Sequence, residues 1–413
     1  MQISYNNFES EINQFLKSYL ENDSFDHLKE RLDISEVEVD LLSEKINDFY
    51  KEQLQIDGNQ SKDRIKIDRI ITFTEKRLQP EKFCKFLVDL ARICLSEGKL
   101  DLANEIFRKA NKKSKNDSIK AETQLGLADV FSRRANWTKC LQACNEAKSL
   151  FKNLNDYRGI AKCENLLGTV YGEFGDISKA KKHILTSLSL INIEEDLELA
   201  ANLFTNLGII YNIQENFDDS IQHLNRALAL YTRLGNLKCS SEVNLNIGLV
   251  YYDSAHYETA LSALDLAIET SRNENFLSLL CLAYLAKAQV LIKLNNFFYA
   301  SEFADKALEL SHNLDDKLTV ADIYKIKGII ERNLNNFTAA ETYLLNSLRI
   351  NIGMNNEMNE AETSVELGLL YQKMNDTVSK NSYLKSSCEY FKNIGANAKV
   401  QKIEELLAFN SAL

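Results

Sequence analysis

The chain has 413 residues, 45% of them hydrophobic and 26% charged, with 14 glycines and a single proline, Pro80. Such a composition buries a large core and excludes wholesale disorder, and it suits long helices better than turn-rich sheets. A formal net charge of -10 argues against a surface that neutralises phosphates, so nucleic acid is not an expected partner.

In chain order, the opening MQISYNNFES lacks the basic and apolar regions of an export signal, and a cytoplasmic protein is expected. Ile3, Phe8, Ile12, Leu16, Tyr19 and Leu20 share one helical face. Val39, Leu42, Ile46, Phe49 and Tyr50 share another, with Ser35 and Glu38 placed as a capping box. Asp57-Gly58-Asn59 reads as a turn, and the amphipathic stretch with Ile65, Ile67, Ile70, Ile71, Phe73 and Leu78 ends before Pro80. Residues 1–80 are thus a helical segment outside any repeat, either a cap on the rest of the chain or a docking module.

From residue 81 the chain repeats itself. One column of small residues runs Ala91, Ala128, Gly168, Gly208, Gly248, Ala288, Gly328, Gly368, stepping by forty after its first gap. A second runs Ala103, Cys140, Ala180, Ser220, Ala260, Ala300, Ala340 and breaks at Lys380; a third runs Ala110, Ala147, Ser187, Ala227, Ala267, Ala307, Ser347, Ser387. A bulky column accompanies them with Leu100, Trp137, Ile177, Phe217, Tyr257, Phe297, Phe337 and Thr377. Antiparallel helices approach closely only where small side chains meet, so each period predicts a helical hairpin whose apolar face must be covered by its neighbours. Turns are expected within hairpins at Gly175-Asp176, Glu215-Asn216, Asn295-Asn296, Asn335-Asn336 and Asn375-Asp376. Between hairpins they are expected at Asn155-Asp156, Gly235-Asn236, Asp315-Asp316, Asn355-Asn356 and Gly395. A last amphipathic helix (Val400, Ile403, Leu406, Leu407, Phe409) predicts a C-terminal cap over residues 391–413.

Leu207-Gly208, Tyr211, Phe217, Leu224 and Ala227, with Gly168, Tyr171, Gly175, Ala180 and the 248–267 set, resemble the tetratricopeptide repeat (TPR) family. The resemblance spans eight repeats over 81–390, in a form whose forty-residue period exceeds the usual one and which lacks the closing proline. It implies an all-α fold, a TPR-type α-solenoid: a right-handed superhelix of antiparallel helix pairs. Repeats of such length are similar to those of cell-polarity scaffolds, kinesin light chains and bacterial regulators that bind signalling peptides. The lysine, asparagine and arginine clamp of chaperone-binding members has no counterpart at Thr205, Ile209, Leu245 and Leu249.

Chemistry is sparse. The eight cysteines form no CxxC pair and are expected to be reduced packing thiols. His183 and His223 lie one period apart but no carboxylate or cysteine column accompanies them, so no metal site is expected. No Walker loop, dinucleotide fingerprint, HExxH or GxSxG occurs, and neither catalytic residues nor a cofactor is expected. The most apolar run, Leu277 to Leu294, is interrupted by Lys287, Gln289 and Lys293, so no membrane insertion is expected. A non-catalytic scaffold or adaptor that binds another protein or a peptide segment is the better reading. The first helices of the repeats offer Asn165, Asn202, Thr205, Asn206, Asn212, Glu242, Asn246, Tyr252, Asp253, Lys325 and Arg332 to such a ligand on the concave face. Asn206 and Asn246 carry side-chain amides that both donate to and accept from a peptide backbone. The alternative is a peptide-responsive intracellular regulator that acts through residues 1–80.

Overall fold

A computed structural model describes residues 6–32, 58–314, 316–394 and 396–408. Among these residues every regular element is a helix, and the chain divides into two compact units, Met1–Glu195 and Asp196–Leu413.

The first unit opens with α1 (Asn6–Tyr19), α2 (Asn22–Leu32) and α3 (Gly58–Glu75). Three hairpins come next: α4 (Pro80–Ser96) with α5 (Leu100–Lys113), α6 (Asp117–Arg133) with α7 (Trp137–Asn153), and α8 (Tyr157–Glu173) with α9 (Ile177–Ser189). Pro80 takes the first position of α4, where its missing N–H is no loss. The early helices are not a separate body. Leu16, Leu28, Ile67 and Ile70 share one core with Phe86, Leu87 and Phe107 of the first hairpin, and the Phe15 and Phe86 rings stack with centroids 5.0 Å apart. The Tyr19 hydroxyl donates to Asp89 Oδ2 at 2.7 Å. Two readings from sequence change here. Gly58 and Asn59 begin α3 instead of forming a turn, and α2, which buries Phe25 and Leu28, was not anticipated. Ile3, the stretch from Ser35 to Tyr50, and Asp57 lie outside the described residues.

The second unit holds α10 (Leu197–Ile213) with α11 (Phe217–Arg233), α12 (Leu237–Asp253) with α13 (Tyr257–Asn273), and α14 (Leu277–Lys293) with α15 (Phe297–Asn313). It ends with α16 (Lys317–Asn333) and α17 (Phe337–Gly353), α18 (Glu357–Lys373) and α19 (Thr377–Asn393), then α20 (Asn397–Ala408) alone. The first helices at Leu197, Leu237, Leu277, Lys317 and Glu357 start forty residues apart, and α20 starts one further period on. Each member of these hairpins is 17 residues long, so the period is filled by two long helices and two tight turns.

The turns close by one device. At the end of α7 the Asn155 N–H returns to Lys152 O at 3.1 Å and the Asp156 N–H to Phe151 O at 2.9 Å, a Schellman closure with Asn155 left-handed at φ 55°. Asp156 then caps α8 by accepting from the Gly159 N–H at 2.8 Å. Asp176, Asn236, Asp316, Asn356 and Asp376 accept in the same way from the amide three residues on. The small columns meet as expected: Gly208 faces Leu224 and the Ser220 carbonyl, and Gly248 faces Leu264 and the Ala260 carbonyl. All eight cysteines are free and seven are buried; burial pushes Cys94 and Cys140 each up to about 12, away from the reactive thiolate.

Candidate functional site

In the second unit the faces of α12, α14, α16, α18 and α20 that are not covered by second helices line two crevices. One, of about 470 Å³, lies between α12 and α14 and has an aliphatic floor of Leu245, Leu249, Leu279, Leu282 and Leu285 with Glu242 and Asn246 at its polar edge. Burial holds the Glu242 carboxyl above the ordinary glutamate value, with Lys238 opposing. The other, of about 800 Å³, runs from Tyr252 across α14, α16 and α18 to Lys399, Lys402, Ile403 and Leu406 of α20, and Gln289 lines both.

Charge in the larger crevice is organised by ion pairs. Glu362 holds Lys399 Nζ on Oε1 at 2.8 Å and Lys325 Nζ on Oε2 at 3.1 Å, and Lys325 also reaches Asp322 at 3.2 Å. Burial opposes the Lys325 charge, but Asp322 and Glu362 outweigh it and keep the ammonium above its ordinary value. Burial likewise opposes ionisation of Glu362, yet Lys325 and Lys399 hold its carboxyl below the ordinary range. Burial, then Asp253, Tyr257 and Glu366, push the Tyr252 phenol up to about 12.

The eleven residues picked out from sequence are not brought together as one set. Glu242 and Asn246 line the smaller crevice, while Tyr252, Lys325 and Arg332 line the larger. Arg332 corrects the expectation of an exposed ligand. It is 8% exposed, donates to the Glu366 carbonyl at 3.0 Å and pairs with the Glu366 carboxylate at 2.6 Å, tying α16 to α18. Asn212 and Asp253 are hydrogen-bonded to each other at 2.7 Å, and Asn202 accepts from the Tyr231 hydroxyl at 2.7 Å. Thr205 donates back to its own helix at Ala201 O, and Asn206 stands half-buried on α10. Asn165 belongs to the other unit, half-buried on α8.

Missed from sequence were the aliphatic floor and the share that α20, expected only as a C-terminal cap, takes in lining the larger crevice. The signal was the forty-residue register itself: Leu249, Gln289, Ile329 and Leu369 form one column, Asn246, Ala286, Ile326, Glu366 and Leu406 another, and Glu362 and Lys402 are one step apart.

The histidines are packing groups. His183 stacks on Tyr171 at 5.1 Å and its Nδ1 lies 2.6 Å from Glu164 Oε2, while His223 stacks on Tyr211 at 5.2 Å. Among the described residues no three His, Cys, Asp or Glu side chains converge as metal ligands, and no helix is long and apolar enough to cross a membrane. Glu164, whose side chain is 5% exposed, also pairs with Lys148 at 2.5 Å. Burial opposes its ionisation, but His183 and Lys148 prevail and hold its carboxyl below the ordinary value of 4.5. A depressed carboxylate stabilises the fold above the unfolded value and ceases to do so as pH falls through the folded one. Denaturant midpoints measured below pH 4.5 should therefore fall more steeply in the native chain than in Glu164→Gln, and parallel curves would show that this pair contributes nothing.

Residues 199–273, covering α10 to α13, match the family model described as tetratricopeptide repeat. Those residues carry tetratricopeptide repeats. The chain's hairpins are similar to those of a Rap protein complexed with competence and sporulation factor, at 14% identity and a TM-score of 0.58 over 79% of this chain and 98% of that one. They are also similar to NprR in complex with its cognate peptide NprX, at 13% identity and a TM-score of 0.56 over 78% and 95%. Aspartyl phosphate phosphatase F from Bacillus subtilis matches over 97% of this chain and 95% of that one, at 13% identity and a TM-score of 0.54. No curated protein sequence matches the chain. At these identities the likeness is one of fold, and one of the similar structures is solved with its cognate peptide bound.

Proposed function

We propose that the chain is a non-catalytic, cytoplasmic TPR adaptor that receives an extended peptide segment of another protein in the groove of its second unit. The observation that carries this reading is the pair of crevices joined at Gln289, in which a row of aliphatic side chains is left uncovered by the second helices. Apolar surface of that extent, flanked by polar groups, is what a peptide with alternating side chains covers. Asn246 supplies the backbone-directed amide at the edge.

Peptides selected from a displayed random library on the full chain should bind in calorimetry. Ile329→Asp, in the floor, should abolish that binding, and Asn246→Ala should weaken it about tenfold, or about 1.4 kcal/mol. Thermal stability of Asn246→Ala should stay within about 0.5 kcal/mol of the native chain, as for a surface position. Selected peptides indifferent to both substitutions would move the site elsewhere.

The similar structure solved with its cognate peptide favours a second reading, in which occupancy of the groove is passed to a target through residues 1–80. The core that α1–α3 share with Phe86 and Leu87 supports the cap reading of that segment instead. Removing residues 1–78 separates the two. A cap deletion lowers the stability of the first unit, whereas an effector deletion spares both folding and peptide binding while abolishing the output.

A further inference from the structure

The groove has a sign, and the chain as a whole has the opposite one. The larger crevice is lined by five cations, Lys293, Lys325, Arg332, Lys399 and Lys402, and by only two carboxylates, Glu362 and Glu366. Both carboxylates are already occupied, Glu362 between Lys399 and Lys325 and Glu366 on Arg332. Lys293 and Lys402 are left at its two ends, on α14 and α20, with no carboxylate partner among the described residues. Lys293 leans on the Tyr252 ring, 6.0 Å from its centroid. Between them lies the floor of Ile292, Ile329, Leu369 and Leu406. A positive excess there, in a chain of net charge -10, is not the average of the surface.

Resting on the reading of the groove as a peptide site, we propose that the occupant is an extended peptide of aliphatic residues with acidic side chains near both ends, which complete Lys293 and Lys402. The aliphatic residues cover the floor, and the committed pairs Lys325–Glu362–Lys399 and Arg332–Glu366 hold the walls without entering the exchange. A basic or neutral polar segment would leave the two ammoniums unpaired against it, so the charge selects among peptides that fit the floor equally well.

The test uses the full chain and fluorescein-labelled, C-terminally amidated short peptides of leucine and isoleucine, differing only in whether the flanking polar residues are glutamate, glutamine or lysine. Fluorescence anisotropy should show the glutamate peptide bound about tenfold or more tighter than the glutamine one, with the lysine one weakest and the preference shrinking as salt is added. Lys293→Glu with Lys402→Glu should invert the order, whereas Lys385→Glu, on α19 outside the groove, should leave it alone. Equal affinity of the glutamate and glutamine peptides, both lost in Ile329→Asp, would overturn the acidic preference and leave the groove standing. Binding of the glutamate peptide that survives Ile329→Asp would overturn both. Failure of all three peptides to bind also overturns the acidic preference, and the groove is then judged by the library-selected peptides alone. A glutamine peptide with a free C-terminus that matches the glutamate one would assign the recognised carboxylate to a chain end and sink the side-chain form proposed here.

Discussion

Gly208→Ala is expected to destabilise the second unit by about 2 kcal/mol, against the direction that helix propensity alone predicts. Alanine in place of glycine inside a helix ordinarily gains about 1 kcal/mol. At position 208 the added Cβ would lie 2.5 Å from Leu224 Cγ, 2.7 Å from Leu224 Cδ2 and 3.3 Å from the Ser220 carbonyl oxygen. Leu224 is fully buried and the nearest atom is its branch point, so the contact is relieved only by parting α10 from α11. Gly172→Ala, in α8, is the control, because nothing lies within 4 Å of its Cβ and the propensity gain should appear undiminished. Urea denaturation followed by helical circular dichroism reads both signs. Leu224→Ala alone should cost about 2–5 kcal/mol through its cavity, and combining it with Gly208→Ala should cost less than the two losses added, since each relieves the other. A Gly208→Ala protein as stable as the native chain would refute the close approach of the hairpin helices.

That contact also shows why so much of the fold was legible. A column in which Gly168, Gly208, Gly248, Gly328 and Gly368 recur records a geometric necessity repeated at each hairpin, and repetition lifts it above the noise of any one position. The left-handed asparagines at 155, 295, 335, 355 and 375 were readable for the same reason. Residues 1–80 have no second copy to be compared with, and there Gly58-Asn59 was mistaken for a turn and α2 went unseen. Lys380 breaks the second small column, yet its side chain is fully buried in the place that alanines hold elsewhere. Residue type alone does not reveal that a lysine is buried at such a place. The groove was half legible. Polar residues on the first helices drew attention to Asn212 and Asp253, which are bonded to each other, and to Arg332, which is paired with Glu366, while Leu245 and Leu249 were noted only as lacking a clamp.

Arg332 is where that misreading has the largest measurable consequence: Glu366→Ala is expected to cost about 3 kcal/mol, as for one half of a buried pair removed. The Arg332 side chain is 10% exposed, and without the carboxylate it keeps only the Glu366 carbonyl, 3.0 Å from Nη1, as an acceptor from that residue. Glu366→Gln retains a side-chain oxygen there and should lose about half as much. Because the pair is shielded, the loss should be nearly the same at low and high salt, unlike that of a surface bridge. Replacing both partners, Arg332→Met with Glu366→Leu, should restore most of the stability, since no buried charge is then stranded. This stable double variant decides what Arg332 does. If it is a strut between α16 and α18, affinity for the acidic probe peptide stays within about threefold of the native chain, under 1 kcal/mol. If it were a ligand for the peptide, affinity would fall with the guanidinium while the denaturation midpoint stayed put, and the groove's charge would have to be reassigned from Lys293 and Lys402 to Arg332.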